Sequence, residues 1–239
     1  MTWKRVATAL VLIPVVVGLV LFTPTWVVAI ATAVVTVLAL WEYFALGEAI
    51  GHRAYRVWST VGTLLMLLAQ TKVATTHSYF DLFTGFGSPL ALALFVFVLG
   101  IAAATLWSKR PLVEALPAAG ISCSGLFMVA FPLSFAIMLH GYREQGPQLL
   151  LFALVITWAG DTAAYFVGRA IGKHPLAPHI SPKKTWEGSV GSMVGSLIVA
   201  WAFHYWIRIP IGHLVAMAVI GNVAGQMGDL LESAYKRSA

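Results

Sequence analysis

Residues Leu149–Phe166 read LLLFALVITWAGDTAAYF, with a single charge, Asp161. A bilayer core ~30 Å thick is crossed by a helix of ~20 apolar residues, and this run has that character. An acid inside such a run is expensive and needs a reason. Seven further stretches have the same apolar habit: Val6–Phe22, Trp26–Leu46, Tyr55–Thr71, Pro89–Trp107, Ala118–Leu139, Ser189–Trp206 and Gly212–Leu231. The expected fold is an all-α polytopic membrane protein of about eight transmembrane helices. The third stretch is the weakest, its apolar heart being only Val57–Ala69. The first follows Lys4 and Arg5 as a signal peptide would. It ends at Thr23-Pro24-Thr25 rather than at a small-x-small cleavage site, so it reads as a retained helix.

Composition agrees. Of 239 residues, 59% are hydrophobic and 10% charged, against roughly 25% charged in a soluble domain. Mean hydropathy is +0.85. These values exclude a disordered chain, a nucleic-acid-binding domain and most soluble enzymes. The net charge of +6 must then sit in loops, where its sidedness matters. With eight crossings and a cytoplasmic N-terminus, only Lys72, Arg143 and Arg208 of the 15 basic residues fall outside. That bias supports the span count and places both termini in the cytoplasm. The single cysteine, Cys123, excludes an internal disulfide and a cysteine metal site. Residues 1–239 read as one integral-membrane domain. Its N-terminal helices occupy 1–147; helices of catalytic type occupy 148–239, with a cytoplasmic loop at 167–188. The outer connector Lys72–Ser88, with His77 and Asp81, reads as an interfacial link.

Four acids lie within or at the ends of spans: Glu42, Asp161, Asp229 and Glu232. Glu42 suits a structural role, snorkelling or pairing with an arginine such as Arg53. Gln226, Asp229 and Glu232 are three apart and share one helix stripe. With Asp161 they put three carboxylates from two helices at similar depth on one side. Such a group repels itself unless a cation or basic side chains neutralise it. Mg²⁺ suits hard oxygen ligands of this kind; a buried ion-pair network is the alternative. The loop 167–188 brings the opposite charge in Arg169, Lys173, Lys183 and Lys184, with Ser181 and Thr185 as neutral donors. A helix starting near Gly188 would add a favourable dipole for phosphate. The spacing is that of neither a Walker A loop nor a dinucleotide fingerprint. The seven histidines are scattered and show no metal spacing. Together these residues describe a phosphate-handling site at the inner membrane surface. Small-residue pairs, Gly191 with Gly195 and Gly221 with Gly225, are expected to pack spans seven and eight closely.

The stretches WAGDTAAY (158–165), Gly168-Arg169, Gly172-Lys173-His174, Leu176-Ala177-Pro178, ISPKKTWEG (180–188), GQMGDL (225–230), Glu232-Ser233 and Lys236-Arg237 form a pattern. LIPVV (12–16) and Trp41-Glu42 belong to it too. Through them the chain resembles the CDP-diacylglycerol synthases, or phosphatidate cytidylyltransferases. The resemblance implies CTP plus phosphatidate giving CDP-diacylglycerol and pyrophosphate, with Mg²⁺ as cofactor. It implies Asp229 as first metal ligand and catalytic residue, with Asp161 and Glu232 second. Arg169, Lys173, Ser181, Lys183, Lys184, Thr185, Glu187, Ser233, Lys236 and Arg237 would bind substrate.

In that family the signature opened by Ser233 to Arg237 continues with further carboxylates and a last helix, whereas this sequence ends at Ala239. The expectation is a fragment or short form whose 239 residues insert but make little CDP-diacylglycerol. The expected partners are CTP and a membrane lipid, with no nucleic acid; a homodimer is left open. The expected location is the bacterial cytoplasmic (inner) membrane with the active face in the cytoplasm. Two other classes stay open: a cation-coupled transporter, which would place its acids near the midplane, and a non-catalytic protein binding anionic lipid.

Overall fold

The computed structural model describes residues 2–76 and 88–239. The side-chain surroundings of Lys4 and Arg5, and the connector containing His77 and Asp81, lie outside the described residues. The chain forms two compact units, Met1–Pro147 and Gln148–Ala239.

The first unit holds α1 (Thr2–Phe22), α2 (Thr25–Ala49), α3 (Arg56–Thr76), α4 (Pro89–Trp107), α5 (Ala115–Gly125) and α6 (Phe131–His140). Ser88 caps α4, its Oγ accepting from the Ala91 N–H at 3.0 Å, and Pro89 follows at the first helical position. A π turn, Leu126–Ala130, joins α5 to α6 in one continuous rod. Pro132 comes two residues after it; proline has no N–H and crowds the carbonyl four residues back, and the widened turn accommodates both. The weak hydropathy of the third stretch has a structural reason. On α3, Ser59, Thr63 and Gln70 are fully buried, and Gln70 Nε2 donates to Ser134 Oγ at 3.3 Å. The same face carries Met66 and Val73 into a core with Phe97, Ile101 and Leu126.

The second unit holds α7 (Gly146–Ile171), β1 (Pro175–Ala177), β2 (Ser181–Thr185), α8 (Trp186–His204) and α9 (Ile211–Ser238). Three expectations from the sequence are corrected here. Helix α7 runs past Phe166 to Ile171, so Arg169 is on a helix and not in a loop. The remaining connection is no plain loop: β1 and β2 pair antiparallel, Pro175 opposite Thr185 and Ala177 opposite Ser181. Prolines 175, 178 and 182 bar a helix there, and short extended segments satisfy the backbone instead. Helix α9 continues past Leu231 to Ser238.

Among the described residues, six helical segments are long and apolar enough to cross a membrane: Thr25–Ala49, Arg56–Thr76, Pro89–Trp107, Leu112–His140, Arg143–Ile171 and Ile211–Ser238. Leu10–Phe22 is a shorter apolar helix. Helix α8 is not among the six; Glu187 and its repeated Gly and Ser residues dilute its apolarity. The chain is an all-α integral membrane protein, with one small hairpin among the described residues.

Candidate active site

Helices α7 and α8 run antiparallel and touch through small residues. A Cβ on Gly195 would stand 3.1 Å from the Ala159 carbonyl oxygen, and one on Gly191 would stand 2.7 Å from Val167. Higher up, a Cβ on Gly188 would stand 3.0 Å from the Ala164 carbonyl oxygen. Gly221 of α9 approaches Ile156 in the same manner, but Gly225 meets nothing within 4 Å and is not a packing glycine.

The hairpin is seated on this pair by its ends. Thr185 caps α8, its Oγ1 accepting from the Gly188 N–H at 3.1 Å. The Trp186 N–H donates to the His174 carbonyl at 2.9 Å. Glu187, in the first turn of α8, takes a 2.6 Å contact from His174 Nδ1 and accepts from the His174 N–H at 3.3 Å. Its carboxyl is held down to about 2, first by its own backbone N–H and then by the His174 side chain. A negative charge there also complements the helix N-terminus.

Between hairpin and helices lies a cavity of about 580 Å³, within the usual size range for a ligand pocket. Asp161, Tyr165 and Arg169 line it from α7, each four residues from the last and therefore on one face. Lys183, Lys184 and Thr185 of β2 line a second side, and Gln226 and Asp229 of α9 a third. Lys184 Nζ forms an ion pair with Asp229. Arg169 Nη1 donates to the Tyr165 hydroxyl at 3.0 Å. Three cations and two carboxylates thus share one space, a balance suited to a polyanion held together with a metal.

Beneath the carboxylates a ladder of amides and hydroxyls ties the three helices. Ser189 Oγ donates to Gln226 Oε1. Gln226 Nε2 donates to Asn222 Oδ1 at 2.6 Å, and Asn222 Nδ2 donates to Ser192 Oγ and Ser196 Oγ, both at 2.8 Å. Ser196 Oγ ends the ladder on the Ile156 carbonyl of α7 at 3.0 Å. Ser192, Ser196 and Asn222 are all buried. Hydrogen bonds among buried polar groups specify a packing more sharply than apolar contact does.

Of the residues picked out in the sequence, the structure gathers Asp161, Asp229, Arg169, Lys183, Lys184 and Thr185 around the cavity. It does not gather Glu232, Lys173, Ser181, Glu187, Ser233, Lys236 or Arg237 as lining residues. Glu232 is placed apart from Asp229. Sharing a stripe with Asp229 does not give it the same depth, because three residues of helix rise about 4.5 Å. It pairs instead with Lys236, one turn further on. Among the described residues no group of three or more His, Cys, Asp or Glu side chains is placed to hold a metal. Glu187 and His174 clasp the hairpin, Ser181 pairs with Ala177, and Arg237 Nη1 reaches the His179 carbonyl at 3.4 Å. Tyr165, Ser189 and Ser192 line the cavity as well, and Asn222 supports it. Tyr165 closes the stretch 158–165 of the family pattern; no motif marks the other three, though a polar side chain on an apolar helix was a signal for Ser192 and Asn222.

The model of the cytidylyltransferase family matches residues 3–239. A phosphatidate cytidylyltransferase of Haemophilus influenzae is 31% identical over 260 residues, covering 99% of this chain and 86% of that protein. Those of Staphylococcus saprophyticus and Staphylococcus haemolyticus are 43% and 40% identical over 101 and 100 residues. Each of these two alignments covers 41% of this chain, and 39% and 38% of the respective relative.

Proposed function

The chain belongs to the cytidylyltransferase family, and on that premise we propose that it makes CDP-diacylglycerol from CTP and phosphatidate, releasing pyrophosphate. The observation that carries this reading is the cavity that Asp161, Asp229, Arg169, Lys183 and Lys184 line together. A phosphate oxygen of the lipid attacks the α-phosphorus of CTP. A new P–O bond forms there, the bond from the α-phosphorus to the bridging oxygen breaks, and pyrophosphate leaves with that electron pair. Such a transfer depends mainly on positioning and on neutralising charge. Arg169, Lys183 and Lys184 draw phosphate oxygens into the cavity and offset their mutual repulsion. The Lys184–Asp229 pair keeps the ammonium group and the carboxylate side by side.

The donor set fits Mg²⁺, which is commonly bound by one or two carboxylates together with substrate phosphates. Asp161 and Asp229 would hold it. When bound it would neutralise the triphosphate and the departing pyrophosphate. The location read here is the inner bacterial membrane with the cavity facing the cytoplasm. The distribution of basic residues, with Lys173, Lys183 and Lys184 all beside the cavity end of α7, supports that side.

The test uses the purified protein with radiolabelled CTP, phosphatidate and Mg²⁺. CTP binding is the expected result, and whatever label enters the lipid phase, even at a low rate, is expected in CDP-diacylglycerol with release of pyrophosphate. A protein that neither binds CTP nor labels phosphatidate overturns the reading.

A further inference from the structure

We propose that the Ser192 hydroxyl is a substrate-binding donor at the floor of the cavity, giving its hydrogen to a phosphate oxygen. This rests on the cytidylyltransferase reading and adds to it a contact between substrate and α8. Three serines of α8 enter the polar ladder, and they differ in what their hydrogens do. Ser189 Oγ donates to Gln226, and Ser196 Oγ donates to the Ile156 carbonyl. Ser192 Oγ only accepts, from Asn222 Nδ2 at 2.8 Å. A helical serine usually gives its hydrogen to a carbonyl one turn back. Among the described residues no such bond to Gly188 is formed, and no other acceptor takes that hydrogen.

Asn222 cannot take it at nitrogen, because Nδ2 is itself the donor, and its Oδ1 already accepts from Gln226. Ser192 is 2% exposed and lines the cavity. A buried hydroxyl hydrogen left without an acceptor is costly, and a ligand oxygen in the cavity relieves that cost. Receiving a hydrogen bond at Oγ makes the remaining O–H a better donor. The position is close to the chemistry. A Cβ on Gly160, the neighbour of Asp161, would stand 2.9 Å from Ser192 Oγ. The cations above it, Arg169, Lys183 and Lys184, make phosphate the oxygen ligand that this cavity collects.

The test compares Ser192→Ala with Ser196→Ala in the full chain. Each removes one acceptor from Asn222 Nδ2, and only the first removes a donor from the cavity. The measured quantities are the Kd for CTP, the Kd for phosphatidate in mixed micelles, and the Tm in detergent. Ser192→Ala is expected to weaken one of the two substrates by about 10-fold or more, while Ser196→Ala leaves both unchanged at a similar Tm. The weakened substrate identifies whose phosphate is held. Ser192→Cys keeps the shape with a weaker donor and is expected to fall between wild type and Ser192→Ala; it carries the test alone if the alanine variant does not fold. Equal weakening by the Ser192 and Ser196 variants, or unchanged binding of both substrates in the Ser192 variants, overturns the proposal. A wild-type protein that binds neither substrate removes the cytidylyltransferase reading, and this inference with it.

Discussion

Lys184 on strand β2 and Asp229 on helix α9 form an ion pair across the cavity, 45 residues apart in the chain. Both side chains are partly exposed, at 27% and 58%. A pair of that kind contributes little to stability, of the order of 0–1 kcal/mol. Its importance is positional, since it sets a cation of the hairpin against a carboxylate of helix α9 at the cavity wall.

Asp229→Asn keeps the shape of the side chain and deletes its charge. The variant is expected to fold as wild type and to lose label transfer from CTP by ~100-fold or more, the scale on which mispositioning acts. Chelation of divalent ions should abolish the same activity. Lys184→Ala should chiefly weaken substrate binding, by ~10-fold, as expected for one charge-assisted contact. Near-normal turnover in Asp229→Asn would show that the carboxylate is not part of the site.

Gly160 lies where three helices meet. A Cβ there would stand 2.9 Å from both Asn222 Nδ2 and Ser192 Oγ and 3.1 Å from Ser196 Oγ. Gly160→Ala is therefore expected to cost about 1–3 kcal/mol, as overpacking in a tight interior does. The Tm in detergent should fall. Gly225→Ala is the control, since nothing lies within 4 Å of its Cβ position; there the Tm should hold or rise slightly, alanine being the better helix former. Equal behaviour of the two variants would refute the close approach at Gly160.

Glu187 and His174 hold the hairpin shut at its open end. A carboxyl lowered from 4.5 to about 2 contributes its full interaction above the ordinary carboxylate range and loses it progressively as pH falls from there through about 2. Lowering the pH from about 7 to about 4 leaves this group ionised. Glu187→Gln removes the charge at every pH. Hydrogen exchange at the Trp186 amide, which donates to the His174 carbonyl, should therefore be faster in Glu187→Gln at neutral pH than in wild type. Identical exchange in the two proteins would mean that the clasp does not hold the hairpin.

Arg143 and Lys173 flank the two ends of α7, whose 26 residues span about 39 Å. With Cys123 replaced by alanine, Arg143→Cys should react with an impermeant thiol reagent added outside intact cells. Lys173→Cys should react only after the membrane is opened. The reverse pattern would invert the topology.

The membrane class of this protein, its apolar stretches and its signature string were legible because each is a local property. An apolar run of span length has one low-energy solution in lipid, a helix that satisfies its own backbone. The positions of Asp161, Asp229, Lys183 and Lys184 were legible for a related reason: a charge beside an apolar run stands out. Helix ends were less legible, because Arg169 and Lys236 are compatible with either a helix or a loop, and packing and capping decide between them. Span three read as the weakest, and has the lowest hydropathy of the six, because Ser59, Thr63 and Gln70 face inward where other helices cover them.

Depth and donor balance came only from the tertiary structure. In the sequence, Asp229 and Glu232 look equivalent, two acids on one helix stripe. In the fold, the first lines the cavity and the second pairs with Lys236 a turn away. The hairpin, the Gly160 crossing and the Ser192–Asn222–Gln226 ladder all join residues far apart in the chain. The sequence by itself determined that this chain lives in a membrane and carries a group of acids and bases at one end of its helices, since burial of apolar side chains and the cost of isolated charge act residue by residue. Which of those charges meet, and which hydroxyl faces them, was decided by how α7, α8 and α9 cross, because a contact between helices depends on rotation and rise that no single segment encodes.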